Sequence, residues 1–198
     1  MQPDMFFALL VYALVTSITP GPNNLMLLAS GVNFGFRRTM PHMLGIGAGF
    51  LLLLLAVGFG LGALLAAFPA LHLTLKIAGG AYLLYLAWRI AMSRSLGDKK
   101  GADARPMTFG EAAAFQWVNP KAWMIAITGM AVYTDPRAPL VSMLIVALGF
   151  AAVNLPSVST WAAFGSALRG FLADPTRLKW FNVAMGLLLA VTLWPMLG

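Results

Sequence analysis

Apolar runs of membrane-spanning length alternate with short polar connectors along the whole chain. A bilayer core of about 30 Å takes ~20 helical residues, and at that length the pattern predicts six transmembrane helices. They run from about Met5 to Ala29, Met40 to Phe68, Leu75 to Met92, Phe109 to Tyr133, Pro139 to Leu168 and Trp180 to Leu197. Pro69 to Thr74 reads as a short turn, and Ser93 to Thr108 as the longest polar connector. The second span carries glycine at 45, 47, 49, 58, 60 and 62, so Gly45 with Gly49 and Gly58 with Gly62 make GxxxG pairs that permit close helix contact.

Two spans are interrupted. Thr19-Pro20-Gly21-Pro22-Asn23-Asn24 breaks the first, because Pro20 and Pro22 lack the amide hydrogen and Gly21 is costly to hold still. Asn119-Pro120-Lys121 breaks the fourth. Asn154-Leu155-Pro156-Ser157 lies inside the fifth. In lipid, backbone freed by such breaks survives only when buried in protein or lining a wet cavity.

Composition fixes the class. The 198 residues are 60% hydrophobic and 10% charged, with a mean hydropathy of +0.83. A chain this size cannot bury that much apolar surface by itself, so the lipid bilayer is its first partner. The net charge of +7 comes from connectors rather than from a nucleic-acid-binding face, and no nucleic-acid partner is expected. Ten of the 13 basic residues flank the first, third and fifth connectors: Arg37, Arg38, Arg89, Arg94, Lys99, Lys100, Arg105, Arg169, Arg177 and Lys179. The positive-inside rule then puts odd connectors in the cytoplasm and both termini in the periplasm. With no cysteine and no cluster of histidines and carboxylates at ligand spacing, nothing calls for a metal or another cofactor.

Cutting the chain at the polar connector gives repeat one (about 1–93), a cytoplasmic loop (about 94–108) and repeat two (about 109–198) within one transmembrane domain. Three spans per half is an odd number, so the halves enter the membrane from opposite sides. Proline-interrupted helices at matching places in two inverted halves point to a transport site between them. The expected substrate-binding set is Pro20, Gly21, Pro22, Asn23, Asn119, Pro120, Lys121 and Asn154. Lys121 lies roughly 15 Å into its span at 1.5 Å per residue, near mid-depth. An ammonium there needs a partner or water. It either holds a substrate carboxylate or donates to carbonyls freed at Pro20 or Pro120. Asn23 and Asn119 read as site residues or caps, Asn24 as a cap, and Asn154 and Ser157 as cavity lining or local repair. For proton coupling the sequence offers only Lys121, Glu111 at the start of the fourth span, and His42 near the interface.

The motifs Thr19-Pro20-Gly21-Pro22-Asn23-Asn24-Leu25, Leu75-Lys76 followed by Gly79-Gly80-Ala81-Tyr82-Leu83, and Phe115 through Asn119-Pro120-Lys121-Ala122 resemble the LysE/RhtB family of amino-acid exporters in order, spacing and length. The resemblance implies efflux of amino acids or small derivatives across the bacterial inner membrane, driven by proton exchange. With no carboxylate deep in any span, neutral amino acids or small acids suit the site better than cations. The competing readings are an ion or metal-ion permease and an intramembrane enzyme; the serines at 157, 159 and 166 lack the tight glycine setting and the histidine that an enzyme would need. The glycine-rich second span would serve a homodimer or a bundle of its own chain equally.

Overall fold

The structure, a computed structural model, describes residues 1–96 and 105–194. Half of the polar connector, residues 97–104, thus lies outside the described residues, as does the end of the last span. Every regular element among the described residues is helical: α1 (Pro3–Ile18), α2 (Pro22–Phe34), α3 (Phe36–Ala56), α4 (Gly62–Ala67), α5 (Pro69–Met92), α6 (Phe109–Gln116), α7 (Pro120–Tyr133), α8 (Pro139–Leu168) and α9 (Pro175–Val191).

The prolines explain most of these boundaries. Helices α1, α2, α5, α7, α8 and α9 all open on proline at the first turn, where the missing N–H would have had no helical partner anyway. Pro69 therefore starts α5 at once, and the turn expected through Thr74 shrinks to Phe68 alone. Gly58 makes the close contact expected of it, a Cβ there falling 2.6 Å from Met143 Cγ of α8, and it also lies in an irregular turn. Residues Val57–Leu61 form a π-turn between α3 and α4, and Gly60 sits at φ 101°, a conformation open to glycine and strained for other residues.

Among the described residues, two helical stretches can each cross a membrane by length and apolarity: Phe36–Leu61 and Pro139–Leu168. Helices α1 and α2, bent by 55° at the Pro20 break, make a third span when taken together. On α8 the side chains of Leu140, Leu144, Leu148 and Leu155 fall at helical spacing and stand 37–61% exposed. An outward apolar stripe of that kind belongs against lipid rather than water.

Inside, two apolar clusters meet. One gathers Leu27, Ile46, Leu83, Phe115 and Leu189; the other gathers Leu9, Phe50, Leu53, Val146 and Phe150. Phe150 is fully buried, with Phe50 and Tyr12 edge-on at 5.7 and 5.9 Å. Small residues set the helix distances. Gly31 of α2 and Gly165 of α8 rest on each other's backbones, at the carbonyls of Ala162 and Leu28. Gly45 and Gly49 receive the α6 backbone at Phe109 and Ala113, as the GxxxG pattern anticipates. Gly149 of α8 instead meets the side chains of Leu9 and Leu10 of α1.

Replacing Gly165 with leucine should cost ~1–3 kcal/mol or more through overpacking and lower the melting temperature of the purified protein in detergent. Gly110→Ala, where an added methyl meets nothing within 4 Å, should leave melting unchanged.

Candidate functional site

The two helix breaks meet at the seam between the two apolar clusters. Around them lies a cavity of about 40 Å³, lined on its polar side by Ser17, Asn23, Asn24, Gln116, Asn119, Lys121 and Asn154, with Gly21 and Pro22 at its edge. Phe50 from one cluster and Val158 from the other supply apolar walls. One water needs roughly 10–15 Å³ by this measure, so the space holds a few waters and no amino acid. It is closed.

The break in the first span leaves the carbonyls at the end of α1 without helical partners, and each finds one elsewhere. Asn24 donates through Nδ2 to Ser17 O and Thr19 O, both at 2.8 Å. The Trp161 indole N–H reaches across from α8 to Ile18 O at 3.0 Å. Lys121 Nζ donates to Thr19 O and Thr19 Oγ1 at 2.9 Å each and to Pro20 O at 3.3 Å. Its half-buried ammonium thus sits at the negative end of the α1 dipole. Of the two roles expected for Lys121, this geometry realises the donation to carbonyls freed at Pro20. Gly21 is where the lysine stem passes: a Cβ there would lie 2.8 Å from Lys121 Cδ.

The second break is dressed in a parallel way. Asn119, almost fully buried, caps α7 by accepting from the Lys121 amide at 3.1 Å. Trp123 donates its indole N–H to Trp117 O at 2.8 Å. Pro120 starts α7 and contributes no polar contact. Lys121 therefore stands at the N-terminus of a half-helix and not ten residues into a continuous one.

Asn23 makes a reciprocal amide pair with Gln116: Asn23 Nδ2 donates to Oε1 at 2.8 Å, and Gln116 Nε2 returns a bond to Oδ1 at 3.1 Å. This pair ties the start of α2 to the end of α6. Gln116 is fully buried and was missed by the sequence reading. The signal that would have found it is the one applied to Asn23, an uncharged amide inside an apolar span close to a helix break.

Asn154 donates to Ser17 Oγ at 3.2 Å, while its own Oδ1 is buried with no partner. Ser157 bonds back to Val153 O at 2.8 Å, repairing the turn before Pro156. The structure thus brings Gly21, Pro22, Asn23, Asn119, Lys121 and Asn154 to one cavity, with Pro20 touching through its carbonyl. Glu111 stands apart. It closes a capping box with Thr108 and accepts two bonds from Arg105 at 2.6 and 2.7 Å. Those bonds raise the Arg105 guanidinium above its ordinary pKa.

Cysteine/O-acetylserine efflux proteins of Escherichia coli K12 and of Shigella flexneri are each 32% identical to the chain over 191 residues, covering 96% of it and 95% of each relative. The protein of that name from Escherichia coli O1:K1 is 31% identical over the same coverage. No solved structure matches the chain significantly. The family model for the LysE type translocator matches residues 14–192, and the chain belongs to that family of transporters.

Proposed function

We propose that this protein exports small neutral amino acids, of the kind represented by cysteine and O-acetylserine, across the bacterial inner membrane. The observation that carries the proposal is the convergence of two helix breaks on one polar cavity holding a lysine ammonium and an unsatisfied amide oxygen. An amino-acid zwitterion complements that pair. Its carboxylate competes with the Thr19 and Pro20 carbonyls for Lys121 Nζ, and its ammonium meets Asn154 Oδ1. A cationic side chain would find no carboxylate among the cavity's lining residues. The names of the relatives support the same substrate class.

The cavity is too small for this guest as it stands, so binding requires the halves to separate, which is the physical content of alternating access. Lys121 is the latch in this scheme. While it holds the α1 carbonyls, α7 is strapped to the α1–α2 hinge; when the substrate carboxylate takes the ammonium, the strap loosens. The six-span inverted repeat fits the pattern of contacts. Pro20 and Pro120 are spaced in sequence as Gly49 and Gly149 are. Gly45 and Gly49 of α3 face α6, while Gly149 of α8 faces α1. Proton exchange would drive the cycle.

In proteoliposomes preloaded with labelled cysteine, Lys121→Ala should abolish efflux while still inserting. It should also melt lower, because orphaned carbonyls cost ~1–3 kcal/mol each. Asn154→Leu should raise KM about tenfold, the scale of one charge-assisted hydrogen bond, with kcat much less affected. Wild-type efflux from Lys121→Ala would remove the cavity as the transport site. Efflux indifferent to an imposed pH gradient would remove the proton. A reporter fused after Gly198 should read out in the periplasm; a cytoplasmic signal would overturn the orientation.

A further inference from the structure

From the central cavity a seam between α1 and α7 leads toward the chain's first residues. Thr16, Ala122 and Ile125 line the cavity at the inner end of this seam. Thr16 Oγ1 donates back to Tyr12 O at 2.7 Å. The Tyr12 ring, one turn nearer the start of α1, meets that of Tyr133, the last residue of α7, with 5.8 Å between centroids. Tyr133 in turn lines a surface recess with Gln2, Met5, Asp135 and Arg137. Thr16 and Met5 lie roughly 16 Å apart at 1.5 Å per residue, so the tyrosine pair stands between the cavity and the recess.

The two half-helices that follow the breaks are held differently. Helix α2 is fixed along its length. Gln116 pairs with Asn23 at its start, and Gly31 rests on the backbone of α8. Near its end, where it borders a larger cavity of about 480 Å³, Asn33 and Asn182 of α9 exchange hydrogen bonds at 2.9 and 3.2 Å. Helix α7 has no backbone-on-backbone glycine contact among the described residues. Gly129, its one glycine, meets the side chains of Phe150 and Tyr12. The Lys121 ammonium holds one end of α7. Tyr133 holds the other, its hydroxyl donating to Ala8 O at a long 3.4 Å. Both tyrosines are half-buried, whereas Phe150 beside Tyr12 is fully buried. Tyrosine suits a place that alternates between packing and water, because its ring packs while its hydroxyl stays wet.

We propose that the α1–α7 seam is the exit route of the transported amino acid and that the Tyr12–Tyr133 ring pair is its gate. The proposal rests on the exporter reading for what passes, and it adds which helix moves and which contact parts. Release of Lys121 frees the start of α7. A swing of α7 away from α1 then separates the rings and joins the central cavity to the recess, at the cost of one aromatic pair and one long hydrogen bond. Moving α2 instead would break two amide pairs and pull interlocked backbone apart. The hydroxyls of Thr16, Tyr12 and Tyr133 give a polar solute partners along the way.

The native chain contains no cysteine, so a single thiol can report the gate. Thr16→Cys places it in the cavity wall. Its modification by a membrane-impermeant methanethiosulfonate is timed in spheroplasts, where the reagent meets the outer face, and in inverted membrane vesicles. In spheroplasts, adding Tyr12→Ala together with Tyr133→Ala should speed labelling about tenfold, the scale of one aromatic pair. Tyr12→Phe together with Tyr133→Phe keeps both rings and should leave labelling as slow as in the parent. So should Tyr85→Ala, which removes an exposed ring of α5 outside the seam. Tyr12→Leu alone, a milder change should the double alanine variant fail to insert, should speed labelling severalfold. Unchanged labelling in the alanine and leucine variants would overturn the gate, as would equal acceleration by the phenylalanine pair or by Tyr85→Ala. Acceleration confined to inverted vesicles would overturn the exit assignment. Because labelling needs no transport, failure of the exporter reading shows separately, as wild-type efflux by Lys121→Ala.

Discussion

Backbone hydrogen bonding within hydrocarbon is the constraint on which this structure turns. A helix broken in water is repaired by solvent; a helix broken in lipid must be repaired by protein. The end of α1 meets that demand with three side chains from different parts of the chain, Asn24, Trp161 and Lys121, which between them take the carbonyls from Ser17 to Pro20. Two of those three come from α7 and α8, so mending the break also fixes how the second half of the chain sits on the first.

That arrangement has a mechanical consequence. Packing between α2 and α8 is backbone against backbone at Gly31 and Gly165, a contact with little room to slide. The link from α7 to the α1–α2 hinge is instead polar and carried by one ammonium. A charge-assisted bond can be exchanged for another of similar strength with small net cost, whereas interlocked backbone cannot. If the central cavity opens during transport, the polar strap is the element physically suited to give way, and the glycine contact is the one suited to act as the fixed side.

The two cavities differ in what they ask of a guest. The central one is small and nearly self-satisfied, with the Asn154 oxygen left over. The larger one, about 480 Å³ against α2, has the buried and unbonded His42 imidazole in its wall.

What the sequence by itself determined is the class of molecule and the location of its weak points. Apolar runs, sparse charge and prolines beside glycine and asparagine are local properties, and they specify helices, breaks and basic connectors without reference to a partner. They led to Pro20, Asn23, Asn119, Lys121 and Asn154, and the order of motifs led to the family. Tertiary structure decided the partners. That Lys121 serves the Thr19 and Pro20 carbonyls, that Gln116 pairs with Asn23, and that His42 is buried all depend on which helix faces which. The same holds for the π-turn that contains Gly58 and precedes Gly62, which their spacing alone does not announce. Helix formation is governed by neighbours along the chain, while the cost of an unpaired polar group is settled across space, so only the folded arrangement could say which of these groups is left wanting a ligand.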